Sequence, residues 1–176
     1  MIEPLLNPRE ATMGWVRGAC VVTLCLLLFV VATAAAEKDT VMSDHATGTF
    51  EVKIVPETVA GKTPSPGLSQ MSIDKTFHGD LEGSSVGSMI SAGNPKAGEA
   101  GYVAMEIVTG TLKGHAGSFA LMQHATMSGG TAAMDVTVVP GSGTGALKGL
   151  AGTFIIHINN GQHSYDFDYT LPKTEE

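Results

Sequence analysis

One acidic residue interrupts an otherwise uncharged run, Glu106 in "GYVAMEIVTG" (101–110). If this run is a strand whose buried face carries Tyr102, Ala104, Glu106 and Val108, Glu106 is a carboxylate in an apolar surrounding. Unless paired, such a group has a raised pKa and suits general acid or base catalysis. The opposite orientation puts Val103, Met105 and Ile107 inside and leaves Glu106 solvated, and the alternation slightly favours it. Lys75 raises the same question, because Met71, Ile73, Lys75 and Phe77 fall on one side of a strand. An inward Lys75 needs a carboxylate partner, for which Glu106 is the candidate. The plainer reading has Lys75 snorkelling outward from the mouth of the fold.

Six histidines (His45, His78, His115, His124, His157 and His163) raise the question of a metal. Two strand residues bind one ion most readily when they are two apart and share a face, and no histidine pair here has that spacing. Neither a metal site nor a cofactor is therefore expected. No serine sits on a nucleophile elbow, which leaves Ser–His–acid catalysis without support. Near the C-terminus His163, Tyr165, Phe167 and Tyr169 alternate along one face. Apolar rings with polar tips suit a small-molecule surface, so His163, Tyr165 and Tyr169, with Lys75, are the expected ligand contacts, and Glu106 the expected catalytic group. A barrel filled by its own side chains is the competing reading of the same row.

These residues are carried by strands. Thr47–Val55, Gln70–Phe77, Asp80–Ala92, Gly101–Leu112, Ser118–Met127, Met134–Val139, Thr153–Asn159 and Ser164–Leu171 are separated by Gly, Pro, Asn and Ser, with no convincing amphipathic helix. Eight consecutive strands with short connections predict a closed antiparallel barrel or a sandwich. Asn160-Gly161 predicts a two-residue hairpin turn, setting Asn159 opposite Gln162 and Ile156 opposite Tyr165. His157 and His163 then point to opposite sides of the sheet. A three-residue turn would pair the two histidines but would set Asp166 against Phe154, mixing the faces.

"TGTLKGHAGSF" (109–119) returns as "TGALKGLAGTF" (144–154), identical at eight of eleven positions. Aligning the copies places Phe119, Leu121 and Gln123 on the face that carries Phe154. The stretch lacks P-loop spacing and a following helix, so it reads as scaffold, two equivalent strand-to-strand corners.

The first 36 residues have a different character. Arg9 and Arg17 precede nineteen uncharged residues (Gly18–Ala36) that end in Ala34-Ala35-Ala36. This pattern predicts a signal peptide over 1–36, with a membrane anchor through 18–36 as the alternative. The expected domains are then a flexible linker at 37–45, a barrel at 46–172 and a disordered tail at 173–176. Cys20 and Cys25 both lie in the leading segment, so the exported or anchored domain relies on its core rather than disulfides. Its eight lysines, no arginine and fifteen acidic residues give a charge of −7, which argues against nucleic acid as a partner.

The blocks "GTFEVKIVP", "MSIDKTFHGDLEGSSVGSM", "GYVAMEIVTGTLKGHAGSF", "MQHATM", "GTGALKGLAGTF" and "GQHSYDFDYTLP" resemble a bacterial family known as domain of unknown function 3224, over about Ala46 to Pro172. The resemblance implies a small eight-stranded barrel similar to that of allene oxide cyclase, and no established activity. Most such members look like short cytoplasmic proteins, from which the leading segment departs. The expected role is binding of a small apolar molecule in or at the barrel mouth, by a monomer or homodimer. The alternatives are an isomerase or cyclase similar to allene oxide cyclase, with Glu106 and Tyr165 around the substrate, and a structural module with a filled core.

Overall fold

The computed structural model describes residues 41–58 and 66–173. The segment read as a signal peptide, 1–36, lies outside the described residues, as do 37–40 of the expected linker and 174–176 of the expected tail. Eight strands follow one another: β1 (Val41–Pro56), β2 (Leu68–Gly79), β3 (Leu81–Asn94), β4 (Glu99–Leu112), β5 (His115–Ser128), β6 (Thr131–Val138), β7 (Ala151–Asn159) and β8 (Gln162–Pro172). Each pairs antiparallel with its chain neighbour, and β8 pairs back onto β1. The fold is a closed eight-stranded antiparallel barrel, which removes the free sheet edges. Among the described residues there is no α-helix, only short 3-10 turns at Pro95–Ala97 and Gly145–Leu147.

Two-residue turns set the register of three hairpins. Lys113-Gly114, Gly129-Gly130 and Asn160-Gly161 all have positive φ at both central positions, as a type I′ turn requires. At the last of these Asn159 faces Gln162 and Ile156 faces Tyr165. His157 points outward to Asp166, its Nε2 2.7 Å from Oδ2, and His163 turns toward the interior.

Three readings need correction. First, the expected linker at 37–45 contributes its second half to the barrel, because Val41 to His45 pair with Pro172 to Asp168. Closure requires a partner for all of β8, and that partner lies 123 residues away at His45–Asp168, beyond the reach of local pattern. His45 there stands between Asp168 at 2.7 Å and Asp166 at 3.2 Å. The hydrogen bond to Asp168, with the charge of both carboxylates, raises its imidazole pKa.

Second, β4 faces the other way from the orientation its alternation favoured. Val103, Met105 and Ile107 are 58%, 49% and 52% exposed, whereas Ala104, Glu106 and Val108 are buried. The strand is apolar on both faces, so a period of two marks it as a strand without saying which face turns inward. Its outer neighbours Val86, Ile90 and Met122 are exposed as well, and they pair across from Ile107, Val103 and Met105.

Third, the repeated stretch does not form two equivalent corners. The first copy makes the end of β4, a tight turn and the start of β5. The second opens with the 3-10 turn at Gly145–Leu147 and joins β7 only at Ala151. Leu112 and its counterpart Leu147 are both fully buried, yet Lys113 has φ 44° and Lys148 φ −59°. The differing residues account for this. His115 is exposed, its counterpart Leu150 is a buried anchor, and Ala146 replaces the β-branched Thr111. The second copy also docks on the first. The Ser118 N–H donates to Thr144 Oγ1 at 3.0 Å, and the Thr144 N–H to the Ser118 carbonyl at 2.8 Å. Gly117 permits the approach, since a Cβ there would stand 2.1 Å from the Thr144 carbonyl oxygen.

Inside, the barrel divides into two halves. One is filled by Phe77, Phe119, Phe154, Tyr165 and Phe167 with Leu81, Leu112, Leu147 and Leu150. In the other, the buried apolar cluster is Ile73, Met89 and Ala104. Here β6 and β7 also part: their ladder consists of Val136–Phe154 and Thr137–Thr153, so Met134 and Ile156 are not paired.

Candidate functional site

The open half contains a polar network built from four strands. β2 carries Lys75 inward and β3 carries Ser85 directly across from it. From β4 come Tyr102 and Glu106, and from β5 comes Gln123. Lys75 Nζ donates to Glu106 Oε1 at 2.5 Å and, more weakly, to Gln123 Oε1 at 3.4 Å. Ser85 Oγ donates to the other carboxylate oxygen at 2.6 Å. The amide of Gln123 donates to the Tyr102 hydroxyl oxygen and lies 3.6 Å from Met134 Sδ. The Lys75 and Glu106 side chains are 3% and 0% exposed, so this is an ion pair removed from water.

Small residues make room for it. Gly87 lies across from Glu106, and a Cβ at Gly87 would stand 2.7 Å from Glu106 Cγ. Lys75 Nζ also lies 5.3 Å from the centre of the Phe50 ring, whose π face favours a cation. Lys75 does not snorkel: its ammonium ends inside the barrel against the partner that an inward orientation demanded. Among the described residues no buried side-chain nitrogen or oxygen lacks a hydrogen-bond partner.

Beside the network is a cavity of about 180 Å³. Val52, Ile73, Met89, Met134 and Ile156 form its walls, and Lys75, Tyr102, Gln123 and His163 supply its polar surface. Ile54 and Ile158, 47% and 57% exposed, stand at its rim. A wider surface groove of about 520 Å³ adjoins it, sharing Phe50, Val52 and His163. The groove lies where the β1–β8 ladder ends, at Phe50–His163. Burial pushes the Tyr102 phenol above its ordinary pKa and the Glu106 charge adds to this, against the opposing effect of the Gln123 hydrogen bond.

The expected site residues separate. Lys75 and His163 reach the cavity, with the His163 ring 5.1 Å from that of Phe50. Tyr165 and Tyr169 do not line it. Tyr165 is 1% exposed in the filled half, where its hydroxyl oxygen accepts the Leu81 N–H at 3.0 Å. Tyr169 donates its proton to Asp44 Oδ2 at 3.0 Å. The inward row of β8 runs the length of the barrel, so its members serve different halves. Glu106 lies behind Lys75, with both carboxylate oxygens occupied, and does not line the cavity. Ser85, Tyr102 and Gln123 are additional members of the network. For Gln123 a signal existed, since the repeat alignment put an amide in the row of Phe119 and Leu121.

The chain matches the family model "Protein of unknown function (DUF3224)" over residues 46–169. It is also similar to a solved structure of a DUF3224 protein of unknown function from Shewanella oneidensis MR-1, with 44% identity and a TM-score of 0.68. The match covers 76% of this chain and 100% of that one. No curated protein matches. The family model spans more than half of the chain and the Shewanella protein repeats its fold, so the protein is a member of the DUF3224 family.

Proposed function

We propose that this protein binds a small, largely apolar molecule at the open end of its barrel, and that it does so after export. The observation that carries the reading is the cavity itself, whose walls are aliphatic and whose polar groups gather around Lys75. Such a distribution gains binding energy from apolar contact and orientation from a few polar atoms. The volume of about 180 Å³ slightly exceeds the roughly 150 Å³ that accommodates benzene. The occupant is therefore no larger than a single ring within the cavity, with any extension following the adjoining groove. Export is supported by the N-terminal sequence pattern, two arginines before a nineteen-residue uncharged run that ends in three alanines.

The reading as an isomerase or cyclase similar to allene oxide cyclase has less support. Its two polar groups, Glu106 and Tyr165, are held by protein partners and do not meet at the cavity. Saturation-transfer NMR of the full-length chain with toluene and methylcyclohexane tests the binding reading. Transfer to both probes is expected, with loss in Ile158→Trp, which places an indole at the rim. No transfer, or equal transfer in the variant, would overturn the proposal.

A further inference from the structure

The balance of donors, acceptors and charge around the cavity narrows the class of ligand, an inference that rests on the binding reading above. The acceptors of the network are engaged: Glu106 Oε1 and Oε2 by Lys75 and Ser85, and Gln123 Oε1 by Lys75. The donors are in surplus. An ammonium has three N–H bonds, and Lys75 has two acceptors, the second at 3.4 Å. The Tyr102 hydroxyl accepts from Gln123, and among the described residues its own proton has no acceptor. Both groups line the cavity. His163 is shared with the adjoining groove.

Charge supplies the second constraint. Lys75 and Glu106 neutralise each other, with both side chains removed from water. A carboxylate ligand would leave one negative charge uncompensated there, and an ammonium ligand one positive charge. Either charge would have to shed water without gaining a counter-ion. A neutral oxygen acceptor uses the spare N–H and O–H without disturbing the pair. The Tyr102 phenol stays protonated at neutral pH because burial and the Glu106 charge both disfavour its anion.

We infer that the ligand is a neutral, ring-sized apolar molecule with one carbonyl-type oxygen, which accepts hydrogen bonds from Tyr102 and Lys75. No covalent step is involved. Glu106 fixes the place of Lys75 Nζ through its hydrogen bond and is a positioning residue.

Four probes of similar size separate the possibilities by NMR titration of the full-length chain: cyclohexanone, methylcyclohexane, cyclohexylamine and cyclopentanecarboxylate. Cyclohexanone is expected to bind about tenfold more tightly than methylcyclohexane, the combined effect of two hydrogen bonds worth about threefold each. The two ions should bind more weakly than either. Tyr102→Phe should shrink the gap between ketone and hydrocarbon to about threefold, with one hydrogen bond lost. A readout without mutation is the carbonyl ¹³C resonance of labelled cyclohexanone, which should move downfield on binding as the oxygen accepts hydrogen bonds. Equal affinity of ketone and hydrocarbon would overturn the acceptor inference and leave mouth binding standing. Tightest binding of the carboxylate would overturn neutrality. Failure of all four would remove the binding reading as well.

Discussion

The two halves of the barrel interior solve the same packing problem in opposite ways. In the filled half the rings of Phe154 and Phe167 lie 4.6 Å apart, those of Phe154 and Tyr165 4.9 Å apart, and Leu112 and Leu147 are fully buried. Each such side chain contributes about 1.5–3 kcal/mol by leaving water. In the open half an ion pair and three neutral polar side chains take up much of the interior. A buried ion pair returns little net stability, because desolvation consumes most of its Coulomb energy. The filled half is thus what holds the barrel closed. The open half keeps groups that apolar residues would replace at little cost to folding, which supports the proposal that ligand binds there. The resting place of a residue in one half or the other also explains why Tyr165 and Lys75, both on inward rows, have unrelated roles.

The two halves differ most at the ion pair. Glu106→Leu strands the Lys75 ammonium in the interior and should cost about 3–5 kcal/mol. The double variant Lys75→Met with Glu106→Leu should recover most of that loss, since two apolar residues need no partner. Urea unfolding of the two variants checks this. If the double variant is as unstable as the single one, the network is a stabilising element and the contrast between the halves fails.

A smaller effect sharpens the contrast in packing. Leu112→Ala opens a void in the filled half and should cost about 4 kcal/mol, whereas Met89→Ala merely enlarges an existing cavity and should cost about 2 kcal/mol. Equal losses in parallel melts would show that both halves are packed alike.

The smallest effect is confined to alkaline pH and to the filled half. Burial, joined by the Asp44 hydrogen bond and charge, pushes the Tyr169 phenol up to about 12. A pKa raised on folding contributes stability that is fully present below the unfolded value near 10. That stability is lost as pH rises through the folded value of about 12. Thermal melts from pH 9 to about 12 should show this decline, and Tyr169→Phe should reduce it. An unchanged alkaline profile in Tyr169→Phe would place the titrating group elsewhere.

Much of the site was within reach of pattern reading. Lys75 shares its face with Ile73 and Phe77, and an inward lysine there needs a carboxylate, for which Glu106 is the candidate, although outward snorkelling is the plainer reading of the pattern. The orientation of Glu106 was beyond that method, because Val103, Met105 and Ile107 are as apolar as its own neighbours. The exposed outer face of β3, β4 and β5 supplies the misleading signal. Tyr165 and Tyr169 read as ligand contacts since alternation reports a face, while position along the barrel axis depends on how the eight strands are staggered.

By itself the sequence determined the number of strands, their antiparallel order, the register at Asn160-Gly161 and the residues able to form the ion pair. All of these follow from interactions between residues close in the chain, or from residue chemistry. Tertiary structure decided the start of β1, whose partner closes the barrel from the far end of the chain. It also decided the inward face of β4 and the conformations of the two nearly identical eleven-residue stretches. Lys113-Gly114 turns a hairpin between two strands that pair throughout, whereas Gly145–Leu147 coils where β6 has ended and Leu147 and Leu150 find the core. Eight of the eleven residues are shared, so the differing residues, above all Leu150 in place of His115, and the space left by the neighbouring strands together select between the two conformations.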